Sequence, residues 1–321
     1  MTISIRPLDR SDAQALADLG DYAFLGDPTR PDRMRGVGTI DWNQAFGAWR
    51  VQDPSGSGAA GDPALRVRAD DRMAGCYVHF SLRLGALGPL GTVRAHDLAG
   101  LAWVAVHPDH RRRGVLSQLI AHHHADLREQ GIAWSGLHAS ETSIYGRFGY
   151  APASLNVEYT LNRGVALRAP DHVRAAADAI DVQTVFDLDE EIAARVRRIS
   201  LDTQADTLGA ITWPEAKELA FLRDNPQERH GRGEEPSRVL IASLPTGPGT
   251  GAADERGAGG AAGADAAGGR RDVGFAIYRR TDAWEGGQPR GTVDVRSLRA
   301  HDPATLLALG DAWPTWTSWV G

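Results

Sequence analysis

The sequence predicts an α/β (α+β) protein of two units in tandem, each a mixed sheet flanked by helices. Length is the first observation behind this: 321 residues with 42% hydrophobic side chains exceed what one ordinary core needs. The second is an alternation of strand-like and helix-like apolar patterns up to Leu161. The third is a new series of helices and strands that begins after Asn162-Arg163-Gly164.

Ile3 to Arg6 reads as a short strand, and Asp9-Arg10-Ser11-Asp12 caps a helix whose apolar positions include Leu16 and Leu19. Gly, Ser, Pro and Asp crowd residues 53–71, as in a hairpin loop, and Cys76 to Leu84 is strand-like. The unbroken run Leu98 to Val106 predicts a strand buried on both faces. From Val115 to Gln130, Val115, Leu116, Leu119, Ile120 and Leu127 share one helical stripe, and Gly131 supplies the stop. Ile132 to Ala139 reads as a strand and Thr142 to Phe148 as a short helix. Leu155, Val157, Tyr159 and Leu161 alternate like a half-buried strand.

In the second unit helices are expected over Glu190 to Ile199 and Pro214 to Arg223, with strands at Val239 to Ala242, Val273 to Tyr278 and Thr292 to Val295. Leu244 to Arg271 is nearly all Gly, Ala, Asp, Pro, Thr and Arg. It lacks the apolar residues that would offset its ordering entropy, so a disordered hairpin insertion is expected there.

Composition removes several function classes. Lys+Arg 35 against Asp+Glu 41 leaves a formal charge of −6, which argues against a nucleic-acid partner. The single cysteine, Cys76, has no second thiol for a disulfide or zinc cluster, which fits a reducing compartment. The start carries no basic stretch leading into an apolar core, and the longest apolar run is far below the ~20 residues of a membrane span. A cytoplasmic location, with no membrane partner, is expected. The consecutive His122, His123 and His124 point three ways from a helix, cannot converge on one metal, and are expected at the surface and flank.

The chemistry concentrates where the long strand hands over to the helix, at Val104-Ala105-Val106-His107-Pro108-Asp109-His110-Arg111-Arg112-Arg113-Gly114-Val115-Leu116. A helix N-terminus offers unpaired N–H groups and partial positive charge, Gly114 lets a ligand approach the backbone, and the arginines add charge. An Arg triplet alone is more often a solvated patch. A strand before it and an amphipathic helix after it favour an anion cradle of pyrophosphate size.

This turn resembles the Arg/Gln-x-x-Gly-x-Gly/Ala signature of the GNAT acetyltransferases, with Leu116 in place of the small third residue. His138-Ala139-Ser140-Glu141 and Ile144-Tyr145-Gly146-Arg147-Phe148-Gly149-Tyr150-Ala151-Pro152-Ala153 follow in order. Together they resemble the Eis-type (enhanced intracellular survival) N-acetyltransferases. Trp213, Asp224-Asn225-Pro226, Gly274 to Arg279, Trp284 and Gly291 to Arg296 are similar to that family's central region. The resemblance implies two tandem GNAT-like domains, residues 1–163 with an acetyl-CoA cradle and residues 164–309 without one.

The resemblance also implies roles. Acetyl-CoA would be the cosubstrate, its pyrophosphate held by Arg111, Arg112, Arg113, Gly114, Val115 and Leu116. The backbone at Val104, Ala105 and Val106 would serve pantetheine and the thioester oxygen along a splayed strand. Tyr145 matches the general acid that protonates the CoA sulfur. Ser140 is a cofactor or substrate contact, or equally a helix cap. His138 and Glu141 lie within reach of an incoming ammonium. On spacing alone Tyr145 reads more readily as a core aromatic under Phe148 and Tyr150, and His138 as a structural hydrogen-bonder.

Family members continue into a third, sterol-carrier-like domain whose terminal carboxylate acts as general base, and no residue here matches it. In residues 310–321, Trp313, Trp316 and Trp319 recur every third residue without helical or strand pattern. Another reading frame permits Trp-Arg-Arg-Leu-Ala-Asp-Leu-Asp-Leu-Val-Gly-Arg, which resembles the family's helix and Asp-Leu-Asp-Leu segment. The expectation is a frameshift near Leu309 with an artificial tail beyond it, which the nucleotide sequence decides.

The function expected is transfer of acetyl from acetyl-CoA to amines of a polycationic small molecule, aminoglycoside- or polyamine-like, by direct attack of the amine on the thioester. A homo-oligomer is implied for a full-length chain. The alternative is a non-catalytic CoA-binding or assembly module left by loss of the C-terminal domain.

Overall fold

A computed structural model describes residues 2–29, 33–51, 72–155, 158–162, 165–186, 189–222, 235–246 and 269–313. The chain divides into two compact units, Met1–Leu155 with Ile211–Lys217, and Asn156–Ala210 with Glu218–Gly321. The division falls ahead of the 163/164 boundary read from the turn. Both units are mixed α/β, and no helix among the described residues is long and apolar enough to cross a membrane.

The first unit is built on β1 (Ile3–Pro7), β2 (Ala45–Arg50), β3 (Gly75–Leu87), β4 (Val93–Val106) and β5 (Trp134–Gly136), in that order across the sheet. Among the described residues of this sheet only β4 and β5 run parallel; a later strand, β7 (Ile211–Thr212), adds to β3 at Arg83 and Leu84. Helix α1 (Ala13–Ala23) starts where expected, because Asp9 and Asp12 form a reciprocal capping box over the turn before it. With α2 (Met34–Val37) it covers one face, burying Leu16, Leu19, Val37, Val78, Phe80 and Leu82. Helix α3 (Val115–Glu129) covers the other, burying Val115, Leu119 and Ile120 against Tyr77 and Leu101.

Strand β4 is irregular at the position that matters. Between Cys76↔Ala105 and Val78↔Ala102 it carries one residue more than β3, a β-bulge, and Trp103 there adopts φ 55°. Side-chain parity flips at this point. Leu98 and Ala102 face α1 and α2 before the bulge, whereas after it Ala105 does, with Val104 and Val106 turned toward α3. The Trp103 ring lies so close to α1 that a Cβ on Gly20 would sit 2.9 Å from its Cζ3, which explains a glycine inside that helix.

The bulge carbonyl is held by the lone cysteine: Cys76 Sγ–H donates to Trp103 O at 3.3 Å. Cys76 is fully buried and burial pushes its thiol up to about 12, so almost none is thiolate at neutral pH. Native protein is expected to show no thiol reactive toward Ellman's reagent at pH 8 and one after denaturation. A fast-reacting native thiol would contradict this placement.

The second unit is a four-stranded antiparallel sheet ordered β12 (Thr292–Ala300), β9 (Arg270–Thr281), β8 (Arg238–Pro245) and β6 (Asp181–Val185). Helix α5 (Glu190–Asp206), capped by Asp189, packs Ile192, Val196 and Ile199 on one face. Helices α4 (Asp171–Ala177) and α7 (Pro303–Asp311) pack on the other through Ala177, Leu307 and Leu309. A two-residue hairpin, β10 (Trp284–Glu285) and β11 (Gln288–Pro289), precedes β12, and α6 spans Glu215–Leu222.

Several expectations need correction. The strand expected over Ile132 to Ala139 shrinks to β5, and the helix over Thr142 to Phe148 is two 3-10 turns, Thr142–Ile144 and Gly146–Phe148. Residues 158–162 carry no strand, and Leu155, Tyr159 and Leu161 are 89%, 82% and 52% exposed. Alternation alone does not make a strand without a partner edge, and three-residue β5 offers little edge. Gly310 and Asp311 continue α7, where Asp311 pairs with Arg174; residues 314–321 lie outside the described residues. So do residues 53–71, Asp224-Asn225-Pro226 and 247–268 of the expected insertion, whose flanks extend β8 and β9.

Candidate active site

Four parts of the first unit meet at the C-terminal end of β4: the strand edge, the turn after it, the N-terminus of α3, and the segment following β5. The strand edge opens because β5 stops early. β4 pairs with β5 only at Leu98↔Trp134, Ala99↔Ser135 and Gly100↔Gly136, while β4 runs on to Val106. Those backbone groups of residues 101–106 that face this side therefore have no β5 partner, along a stretch that includes Val104, Ala105 and Val106.

Beyond Val106 the chain makes a tight turn, Pro108–His110, in which His107 Nδ1 accepts from Asp109 N–H at 3.3 Å. Arg112 takes φ 59° and Gly114 φ 80°. A left-handed arginine is strained by about 1 kcal/mol or more and points to a local backbone requirement. Left-handed residues within a turn let successive N–H groups converge on an anion. Gly114 caps α3 without any side-chain hydrogen bond, and the first turn holds no acidic residue. The helix start thus keeps its N–H groups and partial positive charge available. A Cβ on Gly114 would meet nothing within 4 Å, so the space before the helix is open.

Arg111, Arg112, Arg113 and Gly114 are exposed, Val115 is buried under the sheet, and Leu116 is half-buried with the α3-side core. Burial, with His107 and Arg113, lowers the pKa of His110, consistent with a positive local field. These features fit a diphosphate: N–H donors at a helix end, open space and cationic side chains around it.

Tyr145 is half-buried between the two 3-10 turns, and burial raises its phenol pKa. Its carbonyl accepts from Phe148 N–H at 3.0 Å and Tyr150 N–H at 3.4 Å. The ring meets Tyr150 edge-on at 5.9 Å between centroids. Tyr145 thus packs on Tyr150 yet is incompletely covered. Ser140, His138 and Glu141 are exposed on the segment after β5. Glu141, not Ser140, holds the cap position of the first 3-10 turn, so the helix-cap alternative for Ser140 is absent; Ser143 Oγ–H donates to Glu141 Oε1 at 3.3 Å.

The histidine triplet was expected at the surface, and the structure corrects this. His123 is fully buried, with Nε2 2.9 Å from Ser135 Oγ; His122 Nδ1 lies 2.8 Å from Tyr77 Oη; His124 packs against Tyr150. His79, also fully buried, lies beside His123, at 5.5 Å between ring centroids. Sequence reasoning gave Ser135 no role and named Tyr150 only as a motif residue and packing aromatic, since their hydrogen-bond partner lies on another element. Among the described residues no three His, Cys, Asp or Glu side chains are arranged to hold a metal ion.

Residues 4–153 match the model of the acetyltransferase (GNAT) domain. N-acetyltransferase Eis of Mycobacterium bovis is 38% identical over 123 residues, 37% of this chain and 28% of that protein. An N-acetyltransferase of Streptomyces coelicolor is 32% identical over 220 residues, 66% of this chain and 44% of that one. Among solved structures, Eis1 from Mycobacterium abscessus has the same fold with TM-score 0.58 and 20% identity, covering 97% of this chain and 62% of its own. A GCN5-related N-acetyltransferase from Anabaena variabilis gives TM-score 0.61 at 14% identity, covering 96% of this chain and 61% of that one. The matches to the curated relatives span about a quarter to a half of their length. A GNAT acetyltransferase domain thus spans residues 4–153, and this part of the chain is similar to the Eis-type N-acetyltransferases.

Proposed function

We propose that this chain is an acetyl-CoA-dependent N-acetyltransferase for amines of a polycationic small molecule, aminoglycoside- or polyamine-like. The observation that carries the reading is the pairing of an uncapped α3 N-terminus at Gly114 with the unpaired β4 edge beside it. Acetyl-CoA supplies an activated acetyl thioester when bound. Arg111, Arg112, Arg113 and the N–H groups at Gly114, Val115 and Leu116 bind the diphosphate and orient the ligand. The backbone N–H groups of the Val104–Ala105–Val106 stretch that face the open edge are the donors available to a developing oxyanion. Tyr145 keeps its proton through neutral and mildly basic pH, because burial disfavours the phenolate, and so holds a proton at Oη for a departing thiolate. His138, Ser140 and Glu141 line the approach of the amine, where the Glu141 carboxylate attracts a cation.

Thiol release from acetyl-CoA, with and without spermidine, tests this: polyamine-stimulated release is expected. A flat trace with coenzyme A still bound would favour a CoA-binding module, and absence of binding would overturn both readings. Tyr145→Phe is expected to lower kcat by about 100-fold, within the usual range for a general acid, with coenzyme A affinity unchanged.

A further inference from the structure

We propose that His123, Ser135 and Tyr150 are positioning residues for acetyl transfer, a partly buried hydrogen-bond chain that fixes the Tyr145 ring relative to the anion cradle. The inference rests on the role given to Tyr145 above. The chain runs from His123 Nε2 to Ser135 Oγ at 2.9 Å and from Ser135 Oγ to Tyr150 Oη at 2.7 Å. Tyr150 meets Tyr145 edge-on and donates its backbone N–H to the Tyr145 carbonyl. On its other side Tyr150 packs on His124, one residue along α3 from His123.

Each link belongs to a different part of the site. His123 is on α3, whose first turn forms the cradle; Ser135 is in β5, opposite Ala99 just before the strand edge opens; Tyr150 follows the turns that carry Tyr145. Two side-chain hydrogen bonds, with the ring contact and backbone bond between Tyr150 and Tyr145, thus link the helix of the cradle, the strand beside the open edge and the residue that carries the phenol.

Stability alone does not account for this arrangement. His123 is fully buried, and its Nδ1 is a buried atom without a hydrogen-bond partner among the described residues. An imidazole placed so loses hydration on one nitrogen without recovering it, whereas an apolar side chain would fill the space at no such cost. What the imidazole adds is direction, because Ser135 receives a fixed partner and in turn fixes the Tyr150 hydroxyl. Displacement of a catalytic group by a fraction of an ångström to 1 Å costs up to about 100-fold in rate, so orientation of Tyr145 has a measurable return. Burial raises the pKa of both phenols, and that of Tyr150 rises further through Tyr145, which marks the two hydroxyls as electrostatic neighbours.

The test uses the full chain, acetyl-CoA and spermidine, with kcat, KM, coenzyme A affinity and melting temperature read for each variant. Tyr150→Phe, which keeps the ring, and Ser135→Ala are expected to lower kcat by about 10- to 100-fold, leaving KM for acetyl-CoA and coenzyme A affinity within about twofold. Ser135→Thr restores the hydroxyl and is expected to restore most of kcat. His123→Leu is expected to lose kcat while its melting temperature at pH 7.5 holds or rises, a split that a packing role would not produce. Wild-type kcat in Tyr150→Phe and Ser135→Ala overturns the proposal, as does a loss of kcat that follows the melting temperature. Slow Tyr145→Phe beside fast Tyr150→Phe means that the chain alone was misread, whereas wild-type rate in Tyr145→Phe removes the acid and with it any role for the chain.

Discussion

Gly114→Glu abolishes coenzyme A uptake in the expected result: calorimetry records no binding heat, and thermal melting shows a folded protein. Two effects combine at this position. Gly114 has φ 80°, which costs a side-chain-bearing residue about 1–2 kcal/mol. The carboxylate then stands before the α3 N-terminus, at the place proposed for the diphosphate. Like charges about 4 Å apart at a protein surface repel by about 4 kcal/mol, which corresponds to more than ~100-fold in affinity. The fold survives, because nothing lies within 4 Å of the new Cβ and an acidic residue at a helix start is itself favourable. Gly114→Ala, strain without charge, is expected to fall between. Arg112→Ala removes one charge-assisted contact and is expected to weaken binding by about tenfold. Unchanged affinity in both Gly114→Glu and Arg112→Ala would remove the cradle from this turn.

The second large effect is acid lability of the first unit. His79 and His123 are fully buried between β3 and α3, with Tyr77, His122, His124 and Asp126 around them. Burial pushes His123 down to about 3, helped by His79, His124 and His122; burial also lowers His79, against the opposing pull of Asp126 and Asp41. Both folded values lie below the ordinary histidine value near 6.5. Between the two the unfolded chain binds protons that the folded chain does not. Stability is therefore complete above about pH 6.5 and falls as pH drops toward the folded value, by up to about 1.4 kcal/mol per pH unit for each histidine. At pH 5 that amounts to about 2 kcal/mol from His123 alone, a large share of an ordinary margin. Urea unfolding from pH 7.5 to 4.5 is expected to show His123→Leu losing less stability than wild type. Parallel pH profiles for the two proteins would show that His123 is already protonated in the fold.

Much of the site was legible because its grammar is local. A long apolar strand, a basic turn with Gly114 and a striped helix are read within thirty residues, and each follows from backbone and side-chain properties at fixed spacing. What stayed hidden is non-local. Nothing in Leu98 to Val106 signals the extra residue at Trp103, since a bulge is defined only against the count on the neighbouring strand. The alternating residues from Leu155 to Leu161 looked like a strand because alternation records pattern, not whether an edge exists to receive it. His123 looked solvent-facing because polarity was weighed without its partners, and Ser135 and Tyr150 come from elements 12 and 27 residues further on. β7 escaped notice for the same reason: it rejoins the first sheet after the chain has built part of the second unit.

The parity flip at Trp103 makes chain length itself a constraint in β4. Exchange of one apolar residue for another is absorbed there by repacking. Loss of Trp103 would only remove the bulge and leave Ala102, Val104, Ala105 and Val106 in plain alternation on their present faces, whereas loss of a residue on either side of it, with the bulge kept, would exchange inside for outside along the rest of the strand. Descendants of this gene can drift in letters across that stretch, but insertions and deletions on either side of Trp103 should be purged.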